Sequence, residues 1–368
     1  VLEKKTYDDP DRWSTVVSES FAANDPQDIA LSQNGQVLAI GSRYNDNNNN
    51  CVRVHRVPSM EMIGTEICRT ELNITSFGSP LALSETGDIL VVGGSMNSTG
   101  FVTVFQFTNA TNAWESMGND LASDQNPETF GTVLALGNRG TLIAIGAPQR
   151  NTSSPVKVFE WNSITWSQLG QTIYGTGQPR ERFGASLSLA GYTLAIGSAG
   201  VMRGSVNVFR FTKAWYSIGN TIEGETLNED LGHSVSLGGE QILGVGIHGL
   251  SGKALVFYLR RDYNDVRVNN TVGYTWLPNG SPLDTSLAAP STISLSSHGR
   301  VAAVGTMMGT RVFYQHESNK SWESIGALPP VSHVAVGINE NSNTLLVATS
   351  GRPSTRNFVM VHQTWVVR

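Results

Sequence analysis

Eight residues in short polar connections carry the side chains with which this chain can do chemistry: Asp124, Glu128, Arg180, Glu181, Arg182, Glu229, Asp230 and His233. Two carboxylates at a fixed separation would act as acid and base on a glycosidic bond. Arginines and a histidine set among carboxylates would instead hold sugar hydroxyls or the polar surface of a protein. Asp284 and His333 stand in connections of the same kind. The plain alternative is a solvated rim of local ion pairs, because most charges lie on surfaces and contribute little there. Other reaction types find no footing. GxSxG, a phosphate-cradling glycine loop, a histidine cluster, CxxC and HxxxH are all missing from the sequence.

Three further groups bear on ligands and compartment. The run Asn45-Asp46-Asn47-Asn48-Asn49-Asn50 offers oxygens, but five neutral amides and one carboxylate make a poor hard-cation site, so a loop is expected and no metal. Asn73, Asn97, Asn109, Asn151, Asn269, Asn279 and Asn319 each open an Asn-x-Ser/Thr triplet in or beside a polar connection, where a glycan can sit clear of a core. Asn109 and Asn319 fall at matching places, just ahead of a tryptophan segment. Cys51 and Cys68 flank a turn near Pro58-Ser59-Met60. If residues whose numbers sum to 119 face each other across that hairpin, the two cysteines are cross-strand neighbours within disulfide reach; two separate buried thiols are the alternative. Sequons and a disulfide together point to a secreted or cell-surface glycoprotein.

The elements that position these residues repeat. Around residues 181–222, Phe183-Gly184-Ala185-Ser186-Leu187-Ser188-Leu189 alternates with period two, as a strand requires. Thr193-Leu194-Ala195-Ile196-Gly197 is an apolar run too short for a helix. Ser205–Phe211 and Trp215–Ile222 give a third and fourth strand. The second-strand signature recurs as VLAIG (37–41), ILVVG (89–93), LIAIG (142–146), TLAIG (193–197), ILGVG (242–246), VAAVG (301–305) and a degraded TLLVA (344–348). A VxVF-like third strand follows each. The fourth strand brings back a tryptophan at Trp114, Trp166, Trp215 and Trp322, a placement that suits packing between repeats better than sugar stacking. A period of roughly fifty residues lies in the range of four-stranded propeller blades.

The fold class expected is therefore all-β: a seven-bladed β-propeller of four-stranded antiparallel blades, one domain over 1–368. The blades fall near 25–67, 77–121, 130–173, 183–222, 231–283, 289–328 and 330–368. The last repeat stops at Trp365-Val366-Val367-Arg368, so residues 12–19 are expected to supply its outer strand and close the ring. A net charge of −5 without a basic cluster excludes nucleic acid as a partner. No run approaches a membrane span. The chain begins at Val1 without a signal-peptide pattern, which suggests a removed leader or a segment of a longer product.

The motifs carry a resemblance. Phe77-Gly78, Phe130-Gly131 and Phe183-Gly184 at first-strand starts, with Gly146-Ala147-Pro148 after a second strand, resemble the FG-GAP repeat of the integrin α-subunit propeller and the secreted propeller repeats of unicellular algae. The resemblance covers the whole chain and implies a β-propeller with an adhesive role. Calcium-binding members place a ladder of Asp and Asn between strands one and two. Here those turns read Ser84-Glu85-Thr86-Gly87-Asp88, Gly137-Asn138-Arg139-Gly140, Ala190-Gly191-Tyr192 and Ser296–Arg300, so the family's metal sites do not carry over and no cofactor is expected.

In a propeller, the connections from strand four to the next strand one and from strand two to strand three share one face. The eight candidate residues belong to that face. The function expected is non-enzymatic extracellular recognition or adhesion, binding a protein or glycan there. A structural subunit of a cell-surface fibre or matrix is the alternative, and a polysaccharide-active enzyme using Asp124, Glu128, Glu181 or Asp230 is the third reading.

Overall fold

The glycine-closed apolar runs become the second strands of their sheets, and they are the most deeply covered segments of the chain. Every residue of Val37–Ser42, Leu142–Gly146, Thr193–Ser198 and Val301–Thr306 is buried. Each lies between two hydrogen-bonded neighbours and is covered on both faces, which is why it reads as continuous apolar sequence rather than alternation. The computed structural model describes residues 14–21, 26–42, 50–71, 73–122, 129–137, 139–149, 154–178, 180–200, 203–249, 253–267, 271–285, 290–306, 309–328, 333–339, 344–351 and 357–365.

Among these residues the strands form seven antiparallel sheets, and the expectation of seven four-stranded blades is corrected in both blade count and strand number. Six blades are built from strands consecutive in the sequence, and five of the six hold five strands. The remaining sheet is composite: Ser14–Phe21 pairs with Asn357–Trp365, followed by Thr344–Gly351 and His333–Asn339. The fifth strand has a physical cause. In blade 4 the outer strand starts as Trp215–Ser217, breaks at Ile218-Gly219, where Gly219 has φ 75°, and resumes as Ile222–Glu223. Both pieces pair with Ser205–Phe211. The break is where the next blade's tryptophan enters. Strands three and four of blade 5, Lys253–Arg267 and Thr271–Pro278, stay paired far along their length, with Arg261 facing Tyr274 and Asp262 facing Gly273.

Each recurring residue type serves the contact between blades. Trp114, Trp166, Trp215, Trp276 and Trp322 donate their indole N–H to the carbonyls of Ile63, Met117, Leu169, Ile218 and Asn279 at 2.7 to 3.1 Å. In every case the acceptor lies in the preceding blade, one residue ahead of the glycine that interrupts its outer strand. The serines of the first strands act at the inner edge. Ser188, Ser234 and Ser236 accept backbone N–H bonds from Leu237, Ile293 and Leu295 of the following blade, at 2.9 to 3.0 Å. Asp28 does the same for Leu81 at 2.8 Å. These bonds satisfy an exposed strand edge that would otherwise need water or another chain.

The Phe-Gly pair is a bulge. Gly184 has φ 81°, and the pairing with the second strand skips between Phe183 and Ser186. The bulge pushes a carbonyl toward the preceding blade, onto the second-strand glycine. A Cβ on Gly197 would lie 2.1 Å from the Gly232 carbonyl oxygen, and the corresponding approach is 1.9 Å for Gly41 against Gly78, 2.7 Å for Gly93 against Gly131 and 2.9 Å for Gly146 against Gly184.

Candidate functional site

Two adjacent blades bring the site together. In blade 4 the first strand is Phe183–Ala190 and the second Thr193–Ser198; in blade 5 they are Leu231–Leu237 and Ile242–Ile247. The connections entering each first strand and leaving each second strand emerge at the same end of their sheets. They enclose a cleft of about 500 Å³ lined by Arg180, Arg182, Ala199, Gly200, Asn228, Asp230 and His248.

The entering connections are copies of one loop. Arg180-Glu181-Arg182 precedes Phe183-Gly184 as Asn228-Glu229-Asp230 precedes Leu231-Gly232. The flanking residues all take the left-handed conformation: φ is 64° at Arg180, 49° at Arg182, 64° at Asn228 and 53° at Asp230. Side chains other than glycine adopt this region at a cost, which the surrounding structure must offset. The middle glutamate does so. Glu181 accepts bonds from the Thr176 and Gly177 backbone N–H groups and the Thr176 hydroxyl at 2.9 to 3.0 Å, and Glu229 accepts from the Thr226 N–H at 3.0 Å. Both glutamates thus brace their own loops. These bonds turn the two carboxylates, expected at the rim, toward their own loops.

The loops are also tied to the neighbouring strand ends. Gly200 packs so closely that a Cβ there would lie 2.1 Å from the Arg180 carbonyl oxygen. Gly249 donates to the Glu229 carbonyl at 2.8 Å, and Leu231 to the Arg203 carbonyl at 3.1 Å. The backbone frame of the cleft is therefore set before any ligand arrives.

What faces the opening is of mixed charge. Arg180 is exposed and Arg182 half-buried; among the described residues neither guanidinium has an ion-pair or hydrogen-bond partner. Asp230 stands opposite, with its Oδ2 3.4 Å from Nδ1 of His233. The His233 ring stacks on His248, centroids 4.3 Å apart and planes 17° from parallel. Of the residues expected at the rim, then, Arg180, Arg182 and Asp230 share the cleft and His233 backs it through His248. Asp124 and Glu128 lie outside the described residues. Asn228, His248, Ala199 and Gly200 were missed. The first was legible from aligning the two loops, and the others from the rule that the end of strand two shares this face.

The remaining candidates separate cleanly. Cys51 and Cys68 face each other in register and form a disulfide. Glu66 lies beside them, the only such acid-and-thiol grouping among the described residues, but its carboxylate bonds Arg53 at 2.8 Å and both sulfurs are in the bridge. Asn73, Asn97, Asn109 and Asn319 are exposed. Asn279 is not: it is 7 % exposed, its side-chain amide donates to Gln315 at 3.4 Å, and its carbonyl holds Trp322. Asn279 is thus corrected from a glycan acceptor to a buried blade contact. Asn151, Asn269 and the segment 43–49 lie outside the described residues.

These sheets and their mutual packing define a β-propeller carrying one disulfide. No family model matches the chain, and no curated protein matches it. Solved structures do. A chain of the "Crystal Structure of Mitotic Checkpoint Complex" is 12 % identical with TM-score 0.61, covering 100 % of this chain and 95 % of that one. A chain of "Kuenenia stuttgartiensis Hydrazine Synthase" is 11 % identical with TM-score 0.57, covering 93 % and 96 %. At such identities the likeness is one of fold.

Proposed function

We propose that this chain is a non-enzymatic extracellular recognition module of the FG-GAP type, one propeller unit over 1–368, which binds a protein partner through the face that carries the cleft between blades 4 and 5. The observation that carries this reading is the cleft itself. Two arginines without partners among the described residues and one aspartate converge there on a backbone frame fixed by close glycine contacts and hydrogen bonds. Preorganised polar groups around a concavity suit binding, because little ordering remains to be done when the ligand arrives. Glu181 bonds to its own loop. Extracellular residence is supported by the disulfide, which persists in oxidising compartments, and by the exposed sequons at Asn73, Asn97, Asn109 and Asn319. One structurally similar chain comes from a mitotic checkpoint complex, in keeping with a protein as the partner.

A bulky thiol-reactive label tests the face. The described cysteines are both in the disulfide, so an introduced cysteine is the reactive one. Leu227→Cys places the label beside the cleft, at a residue 65 % exposed; Ile164→Cys places it on a turn between strands three and four, at the other end of the sheets, at a residue 83 % exposed. In a screen against arrays of extracellular proteins and glycans, the label at 227 should abolish capture and the label at 164 should leave it intact. The reverse pattern would reject the assigned face, and capture of glycans alone would reject a protein partner.

A further inference from the structure

Resting on that reading, we infer that the cleft recognises a carboxylate borne on a peptide segment of the partner, next to a cationic or amide donor. The charges on the walls carry the argument. Arg180 and Arg182 flank one loop, and no described acid engages either guanidinium. The planar fork of an arginine matches a carboxylate in two-point geometry. Asn228 and His248 add polar groups to the same opening. A uniformly basic cleft would suit a polyanion such as a sulfated glycan. This one is not uniform. Asp230 lines it from the adjacent blade, and its carboxylate repels a second negative charge while accepting a bond from a donor.

The repeat makes the asymmetry specific. The loops of blades 4 and 5 share their backbone conformation and their bracing glutamate, yet the position before the bulge is Arg182 in one and Asp230 in the other, and the outer position is Arg180 in one and Asn228 in the other. Backbone bracing asks for neither sign, since Glu181 and Glu229 already meet the backbone N–H groups. Among the described residues the one local partner of the acid is His233, 3.4 Å from Asp230, and His233 has no counterpart charge beside Arg182. The opposed charges are directed to the cleft. A ligand with one anion and one adjacent donor fits this dipolar opening, and an acidic side chain followed by lysine is the simplest such segment. The net charge of −5 over the whole chain also disfavours a polyanion.

The test uses the full chain and defined probes, N-acetyl-Glu-Lys-amide, N-acetyl-Gln-Lys-amide and N-acetyl-Glu-Glu-amide, with a heparin-derived oligosaccharide as the glycan arm, titrated by NMR. The Glu-Lys probe should bind with a Kd on the order of 1 mM, as expected of two charge-assisted contacts in an open cleft. The Gln-Lys and Glu-Glu probes should each bind about tenfold more weakly or worse. Arg180→Asn and Arg182→Asn should each weaken the Glu-Lys probe by about tenfold while leaving the thermal melt in place, because asparagine tolerates the left-handed backbone. Asp230→Asn should erase the discrimination between Glu-Lys and Glu-Glu. Equal binding of Glu-Lys and Gln-Lys, no binding of Glu-Lys, or tighter binding of the oligosaccharide would overturn the inference; the comparison of probes on the unaltered chain decides this even if a variant fails to fold. Blocking by the label at position 227 without discrimination among peptides would overturn the ligand chemistry alone and leave the recognition face standing.

Discussion

Replacing Gly197 with alanine should separate blades 4 and 5, and the structure says by how much. The new methyl carbon would lie 2.1 Å from the Gly232 carbonyl oxygen and 2.2 Å from the Ser186 hydroxyl. Ordinary carbon–oxygen contacts lie near 3.3 Å or beyond, so the two backbones must part by about 1 Å. Neither obstacle is the far end of a flexible side chain: one is backbone, and the other is a buried serine already bonded to that same carbonyl at 2.7 Å. Overpacking of this kind costs about 1–3 kcal/mol, and we expect the upper end, because the Ser186 bond is strained as well. That loss would lower the urea midpoint by roughly 1 M. Gly246→Ala supplies the control. It occupies the same place in blade 5, but blade 6 begins with Pro290-Ser291 and lacks the bulge glycine that blade 5 carries as Gly232, and the nearest atom to the added methyl is the Ser234 Cβ at 3.4 Å. That substitution should be neutral, or stabilising by about 0.5 kcal/mol from the removed glycine entropy. Equal losses at the two sites would refute the account of the Phe-Gly bulge as a contact between blades.

Three further outcomes follow from the same geometry. Trp215→Phe leaves the Leu169 carbonyl without its indole donor, now at 2.9 Å, and should cost about 1–3 kcal/mol in urea denaturation. Cys51→Ser opens a link across a separation of 17 residues and should cost about 3 kcal/mol, matched by reduction of the unaltered protein under the same conditions. Asp88 sits in the turn between strands one and two of blade 2. Burial pushes its carboxyl up, but bonds from the Thr86 and Ser84 hydroxyls outweigh this and hold it below the usual carboxylate range. Its folded form therefore takes up a proton less readily than its unfolded form, so its stabilisation is full above the ordinary carboxylate range and is lost as pH falls through the depressed folded value. Asp88→Asn should thus be destabilising near neutral pH, with a loss that shrinks progressively as pH falls below the ordinary carboxylate range, read from urea midpoints along that series.

The sequence was most legible where one residue type has one job in every repeat. The tryptophans, the second-strand glycines and the Phe-Gly pair each recur because each makes the same contact with a neighbouring blade, so periodicity alone located them. Cys51 and Cys68 were legible for a related reason: hairpin register is arithmetic. Strand number was not. The outer strand breaks at Gly219 to admit Trp276 of the next blade, and such a break depends on a contact that no local pattern records. Asn279 misled because a sequon is read from three residues, whereas its burial follows from its register with Ile218, Leu169 and Met117, the positions whose carbonyls hold a tryptophan. Glu181 and Glu229 were taken for rim charges because a carboxylate in a polar loop looks the same whether it faces a ligand or its own backbone. Their recurrence two residues before the bulge, shared by Glu128, was the available signal. Arg180, Arg182 and Asp230 vary between otherwise equal loops, and variation within a repeat is what distinguishes a site from a scaffold.

The assignment of recognition to the cleft between blades 4 and 5 is tested most directly by amide hydrogen exchange on the full chain, with and without the partner captured most tightly in the screen. Protection should concentrate at residues 180–182, 199–200, 228–230 and 248, which line or border the cleft. Protection confined to the turns around Asn112, Ile164 and Tyr192, at the other end of the sheets, would contradict it.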